Sequence, residues 1–338
     1  ADHIKLDTVE GFLAGSNFFT LDVADYVGET PEAAVVESWL DSLEPYFGEL
    51  NIDGLEEPIT LSRETAKQVG ALYFSAIAKA GELYRHIEAQ KGDDAFVTEV
   101  SIDETDQPQG PSEIFYLLSM MAAQNIPVQT VAPKFTGRFN KGVDYVGDLD
   151  QFEKEFHADL CVIAYAVQTF DLPRSLKISV HSGSDKFSLY PIINRLIKQH
   201  GAGLHVKTAG TTWLEEVIGL AEAGGDGLSI AKEIYGGAYD RFDSLTAPYA
   251  TVIDIDRDKL PQPKEVDGWS SQQFVNALRH DLSCQEYNPH VRQLIHVGFK
   301  IAAEMGPRYT DALKTYESVI ARNVTTNLWD RHIRPIFA

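Results

Sequence analysis

Histidines and carboxylates set in strand-like runs are the residues whose types and spacing could do chemistry. In Lys177-Ile178-Ser179-Val180-His181, strand alternation turns Ile178 and Val180 to one face and Ser179 and His181 to the other. Leu204-His205-Val206-Lys207 repeats the pattern with a histidine 24 residues after His181, about one βα unit further on. Asp2-His3 supplies a third histidine in a comparable place. The run from Phe96 to Glu104 points Phe96, Thr98, Val100 and Ile102 one way and Glu99, Ser101 and Asp103 the other. Unpaired inward carboxylates are costly, so they are expected to be functional or metal-bound. His3, His181 and His205 with one carboxylate therefore form a candidate divalent-metal site with a position open for substrate. A lone strand-end histidine is more often an ordinary hydrogen-bonded residue, but three on separate strands beside inward acids favour ligation. Asp103, Glu104 or Asp106 could supply the acid instead, or cap the next helix; the inward phase of Glu99 puts it first.

Ser182-Gly183-Ser184-Asp185-Lys186 follows His181 as a small-residue turn, whose backbone N–H groups could hold an anion or simply cap a helix. Lys134, Arg138, Lys141 and Lys207 stand at or after strand ends. The chain has 29 Lys+Arg against 50 Asp+Glu, a net charge of −21. Cations gathered at an active mouth in so acidic a protein point to a small anionic substrate such as a sugar carboxylate, with surface ion pairs as the alternative. His86, His157, His200, His280, His296 and His332 fall in or beside helical stretches and read as surface or capping residues. His290, in a loop, could reach the site.

These side chains need a scaffold that brings strand ends together. Strand-like runs cover 1–6, 95–102, 128–131, 176–181 and 203–206, with a weaker one at 249–255. Helical periodicity covers Pro31 to Leu43, 62–89 with Gly92 as its stop, 112–124, 149–169, 187–200 and 212–223, and the tail from 270 to 331 is mostly helical. The order is that of an α/β protein. The expected architecture is a TIM-like (β/α) barrel, which gathers its site at the carboxyl ends of its strands. Five good strands against eight make it incomplete on its N-terminal side in this chain, and an open α/β sheet also fits. Residues 1–262 would be the barrel portion, with a helical insertion around 30–92, and 263–338 a helical extension packed on it. An upstream part of the polypeptide is expected to be absent, since the chain opens without Met.

At 338 residues, 44% hydrophobic and 23% charged, the chain can bury a large core. The charge excludes nucleic acid and acidic membrane surfaces as partners. No apolar run approaches the roughly 20 residues of a membrane span. Two cysteines, Cys161 inside an apolar run, indicate a reducing, cytoplasmic setting. A homo-oligomer is left open.

Ala1-Asp2-His3-Ile4, Glu99-Val100-Ser101-Ile102-Asp103-Glu104-Thr105-Asp106, Ala132-Pro133-Lys134-Phe135-Thr136-Gly137-Arg138-Phe139 and Val180-His181-Ser182-Gly183-Ser184-Asp185-Lys186-Phe187 resemble the tagaturonate/fructuronate epimerases, the hexuronate 4-epimerase family. The likeness continues through Gly203-Leu204-His205-Val206-Lys207-Thr208-Ala209-Gly210-Thr211-Thr212-Trp213-Leu214 and Arg331-His332-Ile333-Arg334-Pro335 and covers nearly the whole chain. Family members carry a sizeable region before the Asp-His pair that these residues do not include. More distantly, the order of an Asp-His pair, a strand carboxylate and two strand-end histidines is similar to zinc-dependent class II aldolases. The resemblance implies inversion at carbon 4 of a keto sugar acid by retro-aldol cleavage and re-addition. A divalent ion (zinc first; manganese, cobalt or nickel otherwise) would sit on His3, His181 and His205. Asp2 and Glu99 would move protons, and Lys134, Arg138, Lys207, Ser182 and Ser184 would hold the substrate. A keto-sugar-acid lyase with the same site, or a non-catalytic partner of an aldolase, are the rival readings.

Overall fold

The computed structural model describes residues 1–93, 95–102 and 107–338. Its strands are β1 (Phe18–Asp22), β2 (Gly48–Leu50), β3 (Ile59–Leu61), β4 (Val97–Ser101), β5 (Thr130–Ala132), β6 (Lys177–Val180) and β7 (Leu204–Val206). Five of them form one sheet in the order β1-β4-β5-β6-β7, and β2 pairs with β3 antiparallel. The pairings of β1 with β4, β4 with β5 and β5 with β6 are parallel. This is an α/β fold with a parallel sheet, and a complete eight-stranded barrel is not seen among the described residues.

Two strand expectations are corrected. Over 1–6 only Ile4 pairs, as a single parallel bridge to Leu21. His3 takes a left-handed backbone, φ 50°, which extended chain cannot contain. The stretch 249–255 is turn and loop, because its backbone groups are satisfied otherwise: Val252 accepts from the Lys141 N–H at 2.8 Å, and Asp254 N–H donates to Gln293 Oε1 at 2.8 Å. Conversely β1, within a segment of no clear period, is a strand. Phe19, Thr20 and Leu21 are buried on both of its faces, so the polar–apolar alternation that marks a half-exposed strand is missing.

The α-helices up to Asp240 are α1 (Ala33–Ser42), α2 (Arg63–Lys91), α3 (Pro111–Ala123), α4 (Leu149–Thr169), α5 (Tyr190–His200), α6 (Ala209–Ala223) and α7 (Gly225–Asp240). Ser62 starts α2 through a reciprocal capping box with Thr65, and Gly92 ends it at φ 88°, a conformation that favours glycine. On α3, Ile114 to Met121 are buried without a gap, as expected of a helix apolar all round. The predicted helix at 187–200 starts three residues later, at Tyr190, because the turn after β6 continues through Leu189.

The chain divides into two compact units that interleave in sequence. The first comprises Ala1–Thr136, Asp148–Val180 and Arg195–His205; the second comprises Gly137–Gly147, His181–Asn194 and Val206–Ala338. In the first, Ile77, Ala80 and Ile87 of α2 and Phe115 and Leu118 of α3 are fully buried. The core of the second is helical: Leu214, Val217 and Ile218 of α6 pack with Ile230, Ile234 and Tyr235 of α7 and with Leu294 and Ile295 of helix Pro289–Val297.

Candidate functional site

In the first unit, register places the polar positions of the sheet on one face. Thr20, Glu99 and Thr130 lie level with one another on β1, β4 and β5, and Ser101 lies level with Asp22 and Ala132. The apolar Leu21, Val100 and Val131 take the other face. Glu99 is 0% exposed. Its Oε1 accepts from the Thr20 hydroxyl at 2.9 Å, and its Oε2 lies 2.7 Å from His205 Nδ1. His205, half-buried on β7, also meets Ser179 Oγ through Nδ1 at 3.2 Å and rests on the Phe18 ring at a centroid distance of 4.7 Å. With Nδ1 held by a buried carboxylate, Nε2 is the nitrogen oriented for a ligand. This carboxylate–histidine arrangement is what metal-ligating imidazoles commonly use, so the donor chemistry at His205 fits a divalent ion.

Asp2 and His3 are neighbours, Asp2 Oδ1 standing 3.9 Å from His3 Nε2, with Asp2 exposed and His3 half-buried. Hydrogen bonds from Ile4 N–H to Thr20 and from Asp22 N–H to Ile4 bind this segment along the edge of β1. That pairing brings His3 level with Thr20 in register. Lys134 follows β5; Gln109 accepts its backbone N–H at 2.7 Å while donating to the Ile102 carbonyl just after β4. Asp103, Glu104 and Asp106, the alternative acids, lie outside the described residues.

In the second unit, His181 is half-buried in the turn after β6, and Ser182 takes φ 51°. The turn is anchored from beneath. Asp185 and Arg292, both fully buried, pair at 2.8 Å. Thr211 Oγ1 donates to both Asp185 oxygens, and the Asp185 N–H donates to His332 Nε2 at 3.0 Å. Burial works to raise the Asp185 carboxyl, but Arg292, His280 and His332 outweigh it and hold it well below the usual carboxylate range. Lys186 Nζ donates to the carbonyls of Asn140, Val143 and Ser184, and burial lowers it to about 7 against the pull of Asp185 and Asp144. Ser184 is buried, Ser182 and Lys207 are half-buried, and Arg138 is exposed and paired with Asp254 at 3.0 Å, the surface ion pair that was its alternative reading. His290 accepts the Asp256 N–H through Nδ1.

The structure thus joins Glu99 with His205 and Asp2 with His3, and adds partners that the sequence left without roles. Thr20 was hidden in a strand without alternation, and Ser179 was read as facing inward but given no task. The reading of His280 and His332 as surface or capping residues is corrected: they are 1% and 2% exposed. Asp185 and Lys186 were visible as adjacent charges after the turn, whereas Arg292, 107 residues from Asp185, gave no local signal.

Among known proteins, the tagaturonate epimerase family (UxaE) matches residues 1–317. A tagaturonate/fructuronate epimerase from Thermotoga maritima is 29% identical over 351 aligned residues, which cover 98% of this chain and 66% of that protein. The chain therefore spans slightly less than two thirds of that relative's length. Crystal structures of fructuronate-tagaturonate epimerase UxaE from Cohnella laeviribosi share the fold at 23% identity. A two-glycerol complex gives a TM-score of 0.76 over 99% of this chain and 67% of that one. A one-glycerol complex gives 0.73 over 97% and 66%. By the extent of its family match, the chain belongs to the tagaturonate epimerase family.

Proposed function

We propose that this chain interconverts tagaturonate and fructuronate at carbon 4, using a divalent metal ion held by His3, His181 and His205. The observation that carries the reading is the buried Glu99–His205 pair on the polar face of the sheet, the form a metal-ligand histidine and its orienting acid take. When bound, the ion supplies Lewis acidity at the ketone and hydroxyl oxygens.

The chemistry follows from the substrate. In a 2-keto sugar acid the carbon-3 proton is acidic, but carbon 4 is one bond too far from the carbonyl for simple deprotonation to invert it. Removing the carbon-4 hydroxyl proton instead lets the bond between carbons 3 and 4 break, giving an aldehyde and the enediolate of the ketone fragment. The aldehyde rotates, carbon 3 adds to its other face, and the new alkoxide takes a proton. The two epimers present that hydroxyl in two directions, so two proton-handling groups are wanted. Asp2 and Glu99 take these roles. Lys134 and Lys207 hold the substrate carboxylate with Ser182 and Ser184, and Arg138 joins them only by leaving Asp254.

The same reading takes the sheet as part of a TIM-like barrel, with residues 1–262 as its barrel portion and 263–338 as a helical extension. The free thiols of Cys161 and Cys284 fit a reducing, cytoplasmic setting. The test is to incubate the metal-loaded chain with tagaturonate and follow fructuronate, with a chelated control. Fructuronate formed only with metal is expected. Two three-carbon fragments without fructuronate would make it a lyase, and conversion unaffected by chelation would remove the metal.

A further inference from the structure

We infer that the first unit carries a second transition-metal site, built from His157, Cys161 and His200 and separate from the residues assigned to epimerisation. His157 and Cys161 are one turn apart on α4, so their side chains share a face. His200 is the last residue of α5. One donor atom from each of the three lies within 4.8 Å of the others.

The hydrogen bonds set the tautomer that ligation requires at His157. His157 Nε2 lies 2.9 Å from the Gly54 carbonyl, so that nitrogen carries the proton and donates it. Nδ1 of His157 then presents its lone pair, and His200 Nε2 stands 2.9 Å from it. A carbonyl holding the far N–H of an imidazole is a common second contact of metal-bound histidine. Tetrahedral zinc, with Zn–N near 2.0–2.1 Å and Zn–S near 2.3 Å, would put two nitrogens about 3.3 Å apart and nitrogen and sulfur about 3.6 Å apart. The imidazoles therefore need to separate by only a few tenths of an ångström, while Cys161 Sγ, 3.9 Å from His157 Nε2, must turn toward Nδ1. Binding would release the thiol proton and shift the His200 proton from Nε2 to Nδ1, which frees the Nε2 lone pair for the ion. Burial holds the Cys161 thiol above its ordinary pKa, so the sulfur keeps its proton until an ion displaces it.

Gly54 supplies an independent sign that the place is shaped around the sulfur. Its φ is +95°, and a Cβ there would come within 2.8 Å of Cys161 Sγ and 3.8 Å of His200 Cε1. A glycine is therefore needed both for the turn and for the close approach of backbone to thiol. Cys161 is buried while the two histidines are half-buried, which leaves a side for the ion to enter. Two imidazoles and a thiolate suit zinc or cobalt and disfavour magnesium and calcium, which take oxygen ligands.

Cobalt tests the site by spectroscopy, without reference to turnover. The full chain is stripped with chelator, titrated with Co²⁺ and read for the thiolate-to-cobalt charge-transfer band. The band is expected in the unaltered chain, in His205→Ala and in Cys284→Ser. It should be absent in Cys161→Ser and weakened or shifted in His200→Gln. In a His205→Ala background, zinc should raise the urea midpoint, and adding Cys161→Ser should abolish that rise. Absence of the band from the unaltered chain, or its survival in Cys161→Ser, would overturn the assignment. Should Cys161→Ser not fold, an unchanged spectrum in His200→Gln does the same.

Discussion

Both oxygens of Glu99 are engaged, one by Thr20 and one by His205, and this makes its two roles separable by experiment. A group that moves a proton is lost on conversion to an amide, whereas a group that only orients an imidazole is partly replaced by one. Glu99→Gln should therefore lower kcat by about 100-fold or more with metal content unchanged, the range of a lost acid–base group. A metal affinity lower by about 10–100-fold, with near-normal turnover per bound ion, would instead assign Glu99 to positioning His205. Metal titration beside steady-state kinetics decides between them. That Glu99 faces inward was legible in sequence, because the phase of Val97 to Ile102 alone fixes it. Its two partners were not, since neighbouring strands are set side by side by pairing that no local pattern records.

At the scale of elements, the turn after β6 is held by the Asp185–Arg292 pair together with the Tyr190 hydroxyl of α5, which donates to the Gly183 carbonyl at 3.0 Å. Arg292 also donates to the carbonyls of Gly142 and Leu278 from helix Pro289–Val297. Arg292→Met would leave a buried carboxylate without its counter-charge, a change that typically costs about 3–5 kcal/mol. A urea midpoint unchanged in Arg292→Met would show that Asp185 finds another partner. The strands β4, β6 and β7 were readable because polar residues alternate along them, and α2 and α4 because their apolar residues keep the helical period. The edge bridge at Ile4 was misread as a strand because a left-handed His3 leaves no trace in residue type. The pair β2 and β3, three residues each, is too short to show a period.

For the whole molecule, the buried titratable groups of the second unit set how stability responds to acid. Burial holds the His280 imidazole down at about 3, assisted by the charges of Arg292, Arg331 and Lys186 and opposed by Asp185. Neither ring nitrogen has a hydrogen-bond partner among the described residues, and the ring lies against Phe187 and Tyr287. Since the folded value lies below the unfolded one, the unfolded chain takes up a proton below about pH 6.5 that the folded protein refuses until about pH 3. Its contribution is whole above that window and is lost as the pH falls through it, by roughly 1.4 kcal/mol per pH unit. His280→Phe should keep the neutral-pH urea midpoint and flatten its fall between pH 6.5 and 4 by about one proton. Equal slopes in the two proteins would refute this.

The interleaving of the units has a temporal meaning during synthesis. All three segments of the first unit have left the ribosome once His205 emerges, since chains appear N-terminus first. The second unit must wait. Its segment Gly137–Gly147 and the turn at Ser182 are made early, yet His332 and Asn327, which bond to Asp185 and Thr211, follow those partners by 147 and 116 residues. Over that interval Asp185 and Lys186 are spared burial without their full set of partners, because the unit that would bury them cannot yet close.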